Sequence, residues 1–258
     1  MEVNPFVGIR AIFFDLDDTL CGYWDASKAG LRRTFETHPV EGISAELAVR
    51  AWAKAFRQFA PGLKKTGWYE TYLKEGGPTR TEQMRLALKE MGIEDEDLAQ
   101  RLSETYLNER DSALKLFHDA SETLVSLQKR FKLGLITNGP ADIQRMEVET
   151  LGIGHHFDHI LIEGELGRGK PLLEVFRHGE ALMGSTPEQT LMVGNSYGHD
   201  IRGAINAGWK TIWIRRPSDV PPSHDGYETK PEEMPADGPQ PDAIVNDLSQ
   251  VMALLDFK

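Results

Sequence analysis

The chain predicts an α/β fold: a parallel sheet with helices on both faces and a helical stretch inserted near its start. Three observations predict it. Ala11 to Phe14 is a short apolar run with the character of a strand buried on both faces. From Tyr23 to about Leu114 the periodic patterns are helical. From Leu116 onward, apolar strand-like runs alternate with helical patterns, the rhythm of βαβ units.

The first strand stops at Asp15, and Asp17 follows two residues on. Side chains alternate along an extended segment, so both carboxylates can leave the strand end on the same side. The carboxyl ends of parallel strands are where such sheets bind ligands. Two acids gathered there repel each other unless a cation or a proton intervenes, the layout of a Mg²⁺-assisted reaction on an anionic substrate. The competing reading is a loop whose aspartates cap the next helix.

The inserted stretch reads as successive helices. Asp25 can cap one that runs to Thr37, and His38-Pro39 ends it, because a residue before proline avoids the helical region. Ser44 opens another to Phe59, broken by Pro61-Gly62. A short aromatic segment spans Trp68 to Lys74, Thr79 to Met91 stops at Gly92, and Glu94 to about Leu114 is long and acidic at its start. Beyond Leu116, helices are expected from Asp119 or Ser121 to Arg130, Ala141 to Leu151, Pro171 to Met183 and His199 to Ala207. Strands are expected at Lys132 to Thr137, Phe157 to Glu163, Thr190 to Gly194 and Thr211 to Ile214. Arg216 to Pro241 holds half of the chain's 14 prolines and reads as a mobile excursion that could cover an edge or lie over the site. Ala243 to Leu255 returns to a strand and a final helix. There is no internal repeat.

Composition narrows the function classes. At 258 residues, with 40% hydrophobic and 27% charged, the chain is long enough for one large domain or a domain with an insert. A formal charge of −11 argues against a nucleic-acid backbone or an anionic membrane as partner. Cys21 is the single cysteine, so no intrachain disulfide is possible. No apolar run approaches a membrane span and no signal-like segment opens the chain, so the expected location is the cytoplasm. Nothing indicates an oligomeric state.

Three more stretches carry chemistry. In Leu135-Ile-Thr-Asn-Gly139, a strand-end hydroxyl and free backbone N–H groups could form a phosphate-binding concavity, although Thr137 could equally cap the next helix. Gly167-Arg-Gly-Lys-Pro171 places Lys170 before a proline that turns the chain away, so its ammonium can serve as a fixed charge on a developing anion. Arg168 reads as a surface residue. In Val193-Gly-Asn-Ser-Tyr-Gly-His-Asp200, Asn195 and Asp200 follow an apolar strand as oxygen ligands. Weaker signals come from His155, His156 and His159, which sit on a turn without a partner cysteine for zinc. Trp24, Trp52, Trp68, Tyr69 and Tyr72 could stack on a ring, but helical spacing favours a packing role.

Asp15-Leu-Asp-Asp-Thr-Leu20, Thr137-Asn138, Gly-Lys170-Pro and Gly-Asn195 through Asp200 resemble, in that order, the four motifs of the haloacid dehalogenase superfamily. The departure is Asn195, which stands where an aspartate is usual. The resemblance implies a Rossmann-like core over 1–20 and 116–258 and a helical cap over 21–115. It implies a phosphatase acting on a small phosphorylated metabolite through an aspartyl-phosphate at Asp15. Asp17 would be the general acid and base, Asp15, Asp17, Asn195 and Asp200 the Mg²⁺ site, and Leu16, Thr137, Asn138 and Lys170 the phosphate clamp. Asp17 separates this branch from dehalogenases proper, because an alkoxide leaving group needs a proton and a halide does not. A phosphomutase, or a binding protein with a weakened metal site, are the alternatives.

Overall fold

The computed structural model describes residues 4–224 and 227–255. Six parallel strands form one sheet in the order β3-β2-β1-β4-β5-β6. They are β1 (Ala11–Phe14), β2 (Lys132–Thr137), β3 (His159–Ile162), β4 (Thr190–Gly194), β5 (Lys210–Ile214) and β6 (Ala243–Val245). Phe14 is in register with Leu135 on one side and Val193 on the other. The order therefore reverses at β1, and the carboxyl ends of β1, β2 and β4 open onto one crevice, where a doubly wound sheet binds ligands. All four residues of β1 and all five of β4 are buried, the physical reason those runs are apolar without alternation.

Between β1 and β2 lie α1 (Tyr23–Thr37), α2 (Ala45–Phe59), α3 (Trp68–Lys74), α4 (Gly77–Glu90), α5 (Glu96–Ala113) and α6 (Ala120–Leu127). Of these, α1, α2, α4 and α5 build their own apolar cluster around Leu31, Trp52, Met84, Leu88 and Leu102. The sheet has a separate core that includes Ile12, Phe14, Leu133, Leu135, Leu191 and Ile212. The rest are α7 (Ala141–Thr150), α8 (Glu163–Leu166), α9 (Leu173–Met183), α10 (Arg202–Asn206) and α11 (Leu248–Leu255). Among the described residues no helix is long and apolar enough to cross a membrane.

Differences from the sequence reading are local. The helix expected from Pro171 starts at Leu173, two residues past a cis Lys170-Pro171 bond. The helix expected from His199 is a π-helical turn over Tyr197–Ile201 that continues into α10. A hydroxyl cap explains that earlier start, since Ser196 accepts from His199 N. The single-turn helix α8 follows β3 directly and lacked the length to show as a period.

The excursion from Arg216 to Pro241 is tied to the rest of the chain, although residues 225 and 226 fall outside the described set. Arg57 of α2 donates to the Pro222 carbonyl at 2.8 Å and to Thr229 at 2.6 Å. Glu232 accepts from the backbone N–H of Tyr197 and Gly198 at 2.9 and 3.1 Å. The anchors are side-chain contacts with distant segments, which composition does not reveal.

Helices α1 and α5 meet backbone to backbone at Gly30. A Cβ there would lie 2.8 Å from Arg110 N and 2.9 Å from its Cα. Helix propensity alone predicts that Gly30→Ala gains up to about 1 kcal/mol. The clash is with backbone and cannot relax by a rotamer change, so the variant should instead lose roughly 1–3 kcal/mol in denaturant unfolding. A stabilised variant would show that the helices can separate freely.

Candidate active site

The turn after β1 is fixed by its backbone. Asp15 N donates to Val193 O at 3.0 Å, the last rung between β1 and β4 before the sheet ends. The Leu16 carbonyl then accepts from Leu20 N at 2.9 Å, and Asp18 closes the turn with a positive φ of 57°. Aspartate tolerates this left-handed region better than most side chains. Asp18 also holds the start of α1, since its Oδ1 accepts from Trp24 N at 3.2 Å.

Lys170 reaches the crevice from the loop after α8. Asn138 fixes that loop: its Nδ2 donates to Lys170 O at 2.7 Å while its Oδ1 accepts from Lys170 N at 2.8 Å. The ammonium lies 2.5 Å from Asp15 Oδ1 and 2.6 Å from Asp200 Oδ1, with the residue only 1% exposed. Asp200 is placed from the other side. Its Oδ2 accepts from Ser196 N at 2.9 Å, and it comes so close to Gly194 that a Cβ there would sit 2.3 Å from that oxygen.

One ammonium between two buried carboxylates leaves a net negative charge. Burial works against the Lys170 charge, yet Asp15 and Asp200 outweigh it and hold the ammonium above the usual lysine range. Burial pushes the Asp15 carboxyl up to about 6 despite Lys170. Burial and the Asp15 charge push Asp17 up to about 7, against the pull of Arg110 and Gln144. Asp18, buried beside Asp219 and Asp17, is raised to about 9.

The second Asp15 oxygen faces a different group. Thr19 Oγ1 donates to Asp15 Oδ2 at 3.1 Å and lies 3.3 Å from Asn195 Oδ1, so two hard oxygens converge beside one hydroxyl. Asp219 holds the amide that way round, accepting from Asn195 Nδ2 at 2.9 Å. Asn195 is thus a neutral oxygen donor with a carboxylate directly behind it. Carboxylate, amide and carbonyl oxygens are the donors Mg²⁺ takes. Among the described residues no group of three or more His, Cys, Asp or Glu side chains is arranged as a metal cluster, the histidines at 155, 156 and 159 included.

Behind Asp17 runs a polar network that the sequence did not reveal. Gln144 Nε2 lies 3.3 Å from Asp17 Oδ2 and donates to Glu147 Oε2 at 2.9 Å, while Arg110 of α5 lies 3.0 Å from Glu147 Oε1. Gln144 and Glu147 sit one turn apart on α7, an (i, i+3) pair that is visible only once Asp17 is known to lie opposite. Thr137 donates its hydroxyl to Gln144. The crevice cavity, about 290 Å³, is lined by Asp15, Asp17, Asn138, Lys170, Asn195 and Asp200 among others. Leu16 and Thr137 are buried behind it and are not among its lining residues. Arg168 is exposed. Cys21 is buried with its thiol pushed well up by burial, so it is not a reactive thiolate. Tyr69 donates to Glu163 at 2.7 Å, and Trp52 stacks on Phe56 at 5.2 Å inside the helical cluster.

The profile of the haloacid dehalogenase-like hydrolases matches residues 9–208, and a related profile matches 167–251. The chain is similar to phosphoserine phosphatase of Thermus thermophilus, 32% identical over 94% of this chain and 98% of that one. It is also similar to the rat N-acylneuraminate-9-phosphatase, at 28% identity over 83% of this chain and 85% of the relative. Its backbone matches the L-2-haloacid dehalogenase of Xanthobacter autotrophicus with a TM-score of 0.68 at 22% identity, covering 96% and 98% of the two chains.

The raised acids give the stability a definite pH dependence. Asp17 and Asp18 keep their protons in the folded chain at pH values where the unfolded chain has lost them. Their contribution is therefore complete at low pH and lost as pH rises through about 7 and about 9. In cation-free buffer the thermal midpoint should fall across this range, and Asp18→Asn should flatten the upper part of the decline. An equally steep decline in Asp18→Asn would contradict the assignment.

Proposed function

The chain belongs to the haloacid dehalogenase-like hydrolase family and is a phosphate-monoester hydrolase of it; from that premise we propose a Mg²⁺-dependent phosphatase that cleaves a small phosphorylated metabolite through an aspartyl-phosphate on Asp15. The observation that carries the reading is the Lys170 ammonium held between Asp15 and Asp200, with Asp17 on the same cavity.

Asp15 attacks phosphorus in line, and the bond to the leaving oxygen breaks. Asp17 gives its proton to that oxygen and later takes one from the water that attacks the phosphoryl group and frees Asp15. Burial supports this role, because an Asp17 carboxyl raised to about 7 still carries its proton near neutrality. The Gln144–Glu147–Arg110 network keeps Asp17 in place. Lys170 favours the ionised nucleophile and offers positive charge to the phosphoryl oxygens. Asn138 acts by holding the Lys170 loop, and Leu16 and Thr137 act from behind the cavity wall.

Asp15, the Asp17 carbonyl and Asn195 would hold the Mg²⁺, with Asp200 in support, and the ion would supply neutralising charge to the phosphoryl group. Asp219 restores a negative charge beside Asn195, which favours an active metal site over a binding protein. An acid at Asp17 favours ester cleavage over dehalogenation. The division into a core of 1–20 and 116–258 and a cap of 21–115 belongs to the same proposal. Arg110, Lys64 and Tyr69 from the cap grip Glu147 and Glu163 of the core, contacts that opening would break.

Phosphate release from a generic aryl phosphate tests the reading. Wild-type protein should turn over with Mg²⁺ and stop when a chelator removes it. Asp15→Asn should abolish release, and Asp17→Asn should lower it by about 10²–10⁴-fold. Unchanged release in Asp15→Asn, or halide release from a haloacid in place of phosphate release, would overturn it.

A further inference from the structure

Just beyond β5 the proline-rich excursion makes a turn that is pinned to the crevice. Arg216, only 6% exposed, fixes it: the guanidinium donates to Asp119 at 2.9 and 3.2 Å and to the Thr19 carbonyl at 3.3 Å. Asp219 N then closes the turn on Arg216 O at 3.2 Å. Thr19 is also the residue whose hydroxyl lies against both Asp15 and Asn195. One residue after the first strand therefore ties the excursion to the crevice through its backbone and its side chain.

The turn sets the Asp219 carboxylate against the one uncharged side chain of the proposed metal set. Asn195 Nδ2 donates to Asp219 Oδ2 at 2.9 Å. Only the amide nitrogen can donate to a carboxylate, so this bond commits Asn195 Oδ1 to the Asp15 side. The Trp213 indole, donating to Asn195 O at 2.6 Å, holds the main chain at the same place. Asn195 lines the crevice cavity, whereas Asp219 is not among its lining residues. Asp219 is not committed to a cation either. Among the described residues it forms no ion pair, and Lys28, which acts on it from farther away, is held by Asp25 at 3.0 Å. Asp15 and Glu232 repel it. The fold thus keeps a half-buried carboxylate beside other carboxylates, at a cost, with its hydrogen bond spent on one amide.

We propose that Asn195 and Asp219 work as one unit: Asp219 supplies through the amide the charge that an aspartate at position 195 would supply directly, and so sets the affinity of the crevice for Mg²⁺. A carboxylate that accepts from the amide N–H polarises it and makes its oxygen a stronger donor, the usual work of a group one step behind a metal ligand. The charge itself also acts on the ion, weakened by the extra distance but not removed. Asp219 is a positioning residue, outside the four motifs and carried by the excursion. The assignment rests on the phosphatase reading for the use of the ion, and deepens it.

Calorimetric titration of the full chain with Mg²⁺ alone tests the unit. Asp219→Asn should weaken Mg²⁺ binding by about 10–100-fold. Asn195→Asp/Asp219→Asn, which moves the charge onto the ligand itself, should recover most of that loss, a strongly non-additive pair. Thermal unfolding gives a second readout. Without metal, Asp219→Asn should melt no lower than wild type, because the new amide can still accept from Asn195 and a repelled charge is gone. The rise in midpoint on adding Mg²⁺ should shrink. A merely structural Asp219 would do the reverse, lowering the metal-free midpoint and leaving Mg²⁺ affinity unchanged. Unchanged affinity in Asp219→Asn, or a double variant that binds no better than Asp219→Asn, would overturn the unit. Mg²⁺ binding by wild type without any aryl phosphate hydrolysis would overturn the phosphatase reading and leave the unit standing. Absence of Mg²⁺ binding by wild type would overturn both.

Discussion

A buried ammonium between two carboxylates is the interaction the rest of this site depends on. Lys170 cannot be kept charged in the interior without Asp15 and Asp200, and neither acid could stay ionised so close to the other without Lys170. Each of the three comes from a different strand end or loop, so the contact exists only when β1 and β4 pair in register and the Asn138 clamp holds the Lys170 loop. Removing one partner would leave an uncompensated buried charge. The sheet order thus does more than form a scaffold. It decides which acids share the cation.

The second constraint is that the cavity remains short of positive charge. Asp15, Asp17, Asp18, Asp200 and Asp219 crowd the end of β1 and β4, and burial raises the carboxyls of all five. Such a site is costly to keep empty and well matched to a divalent cation and an arriving proton donor. Asn195 fits this picture. A sixth acid at that position would add to the repulsion, whereas an amide turned by Asp219 contributes an oxygen while the charge stays one residue behind.

Much of this was legible in the sequence, for a definable reason. Asp15, Asp17, Lys170 and Asp200 sit where an apolar strand or a turn ends abruptly in a polar residue, and such breaks are local. The strands and the helical insert were readable for the same reason, since burial on both faces leaves an unbroken apolar run and burial on one face leaves a period. What escaped is what depends on contacts between distant segments. Gln144 and Glu147 look like ordinary helix-surface residues until Asp17 and Arg110 are placed against them. Asp219 and Glu232 belong to a proline-rich excursion that composition marks as loose, yet their side chains tie it to the fourth motif, and Arg57 of α2 holds it at Pro222 and Thr229. The π-helical turn at Tyr197 and the single-turn helix α8 are too short for any period to show.

The central claim is that Asp15 becomes covalently phosphorylated while Asp17 moves the protons. Acid-quenched mass spectrometry of Asp17→Asn during turnover of an aryl phosphate tests it most directly, because a good leaving group needs no proton to depart whereas release of Asp15 by water does. The account predicts a phosphoryl group on the peptide that carries Asp15, accumulating in this variant and absent when Asp15 is also replaced by asparagine. Phosphate release without that adduct, or an adduct on any other residue, would contradict it.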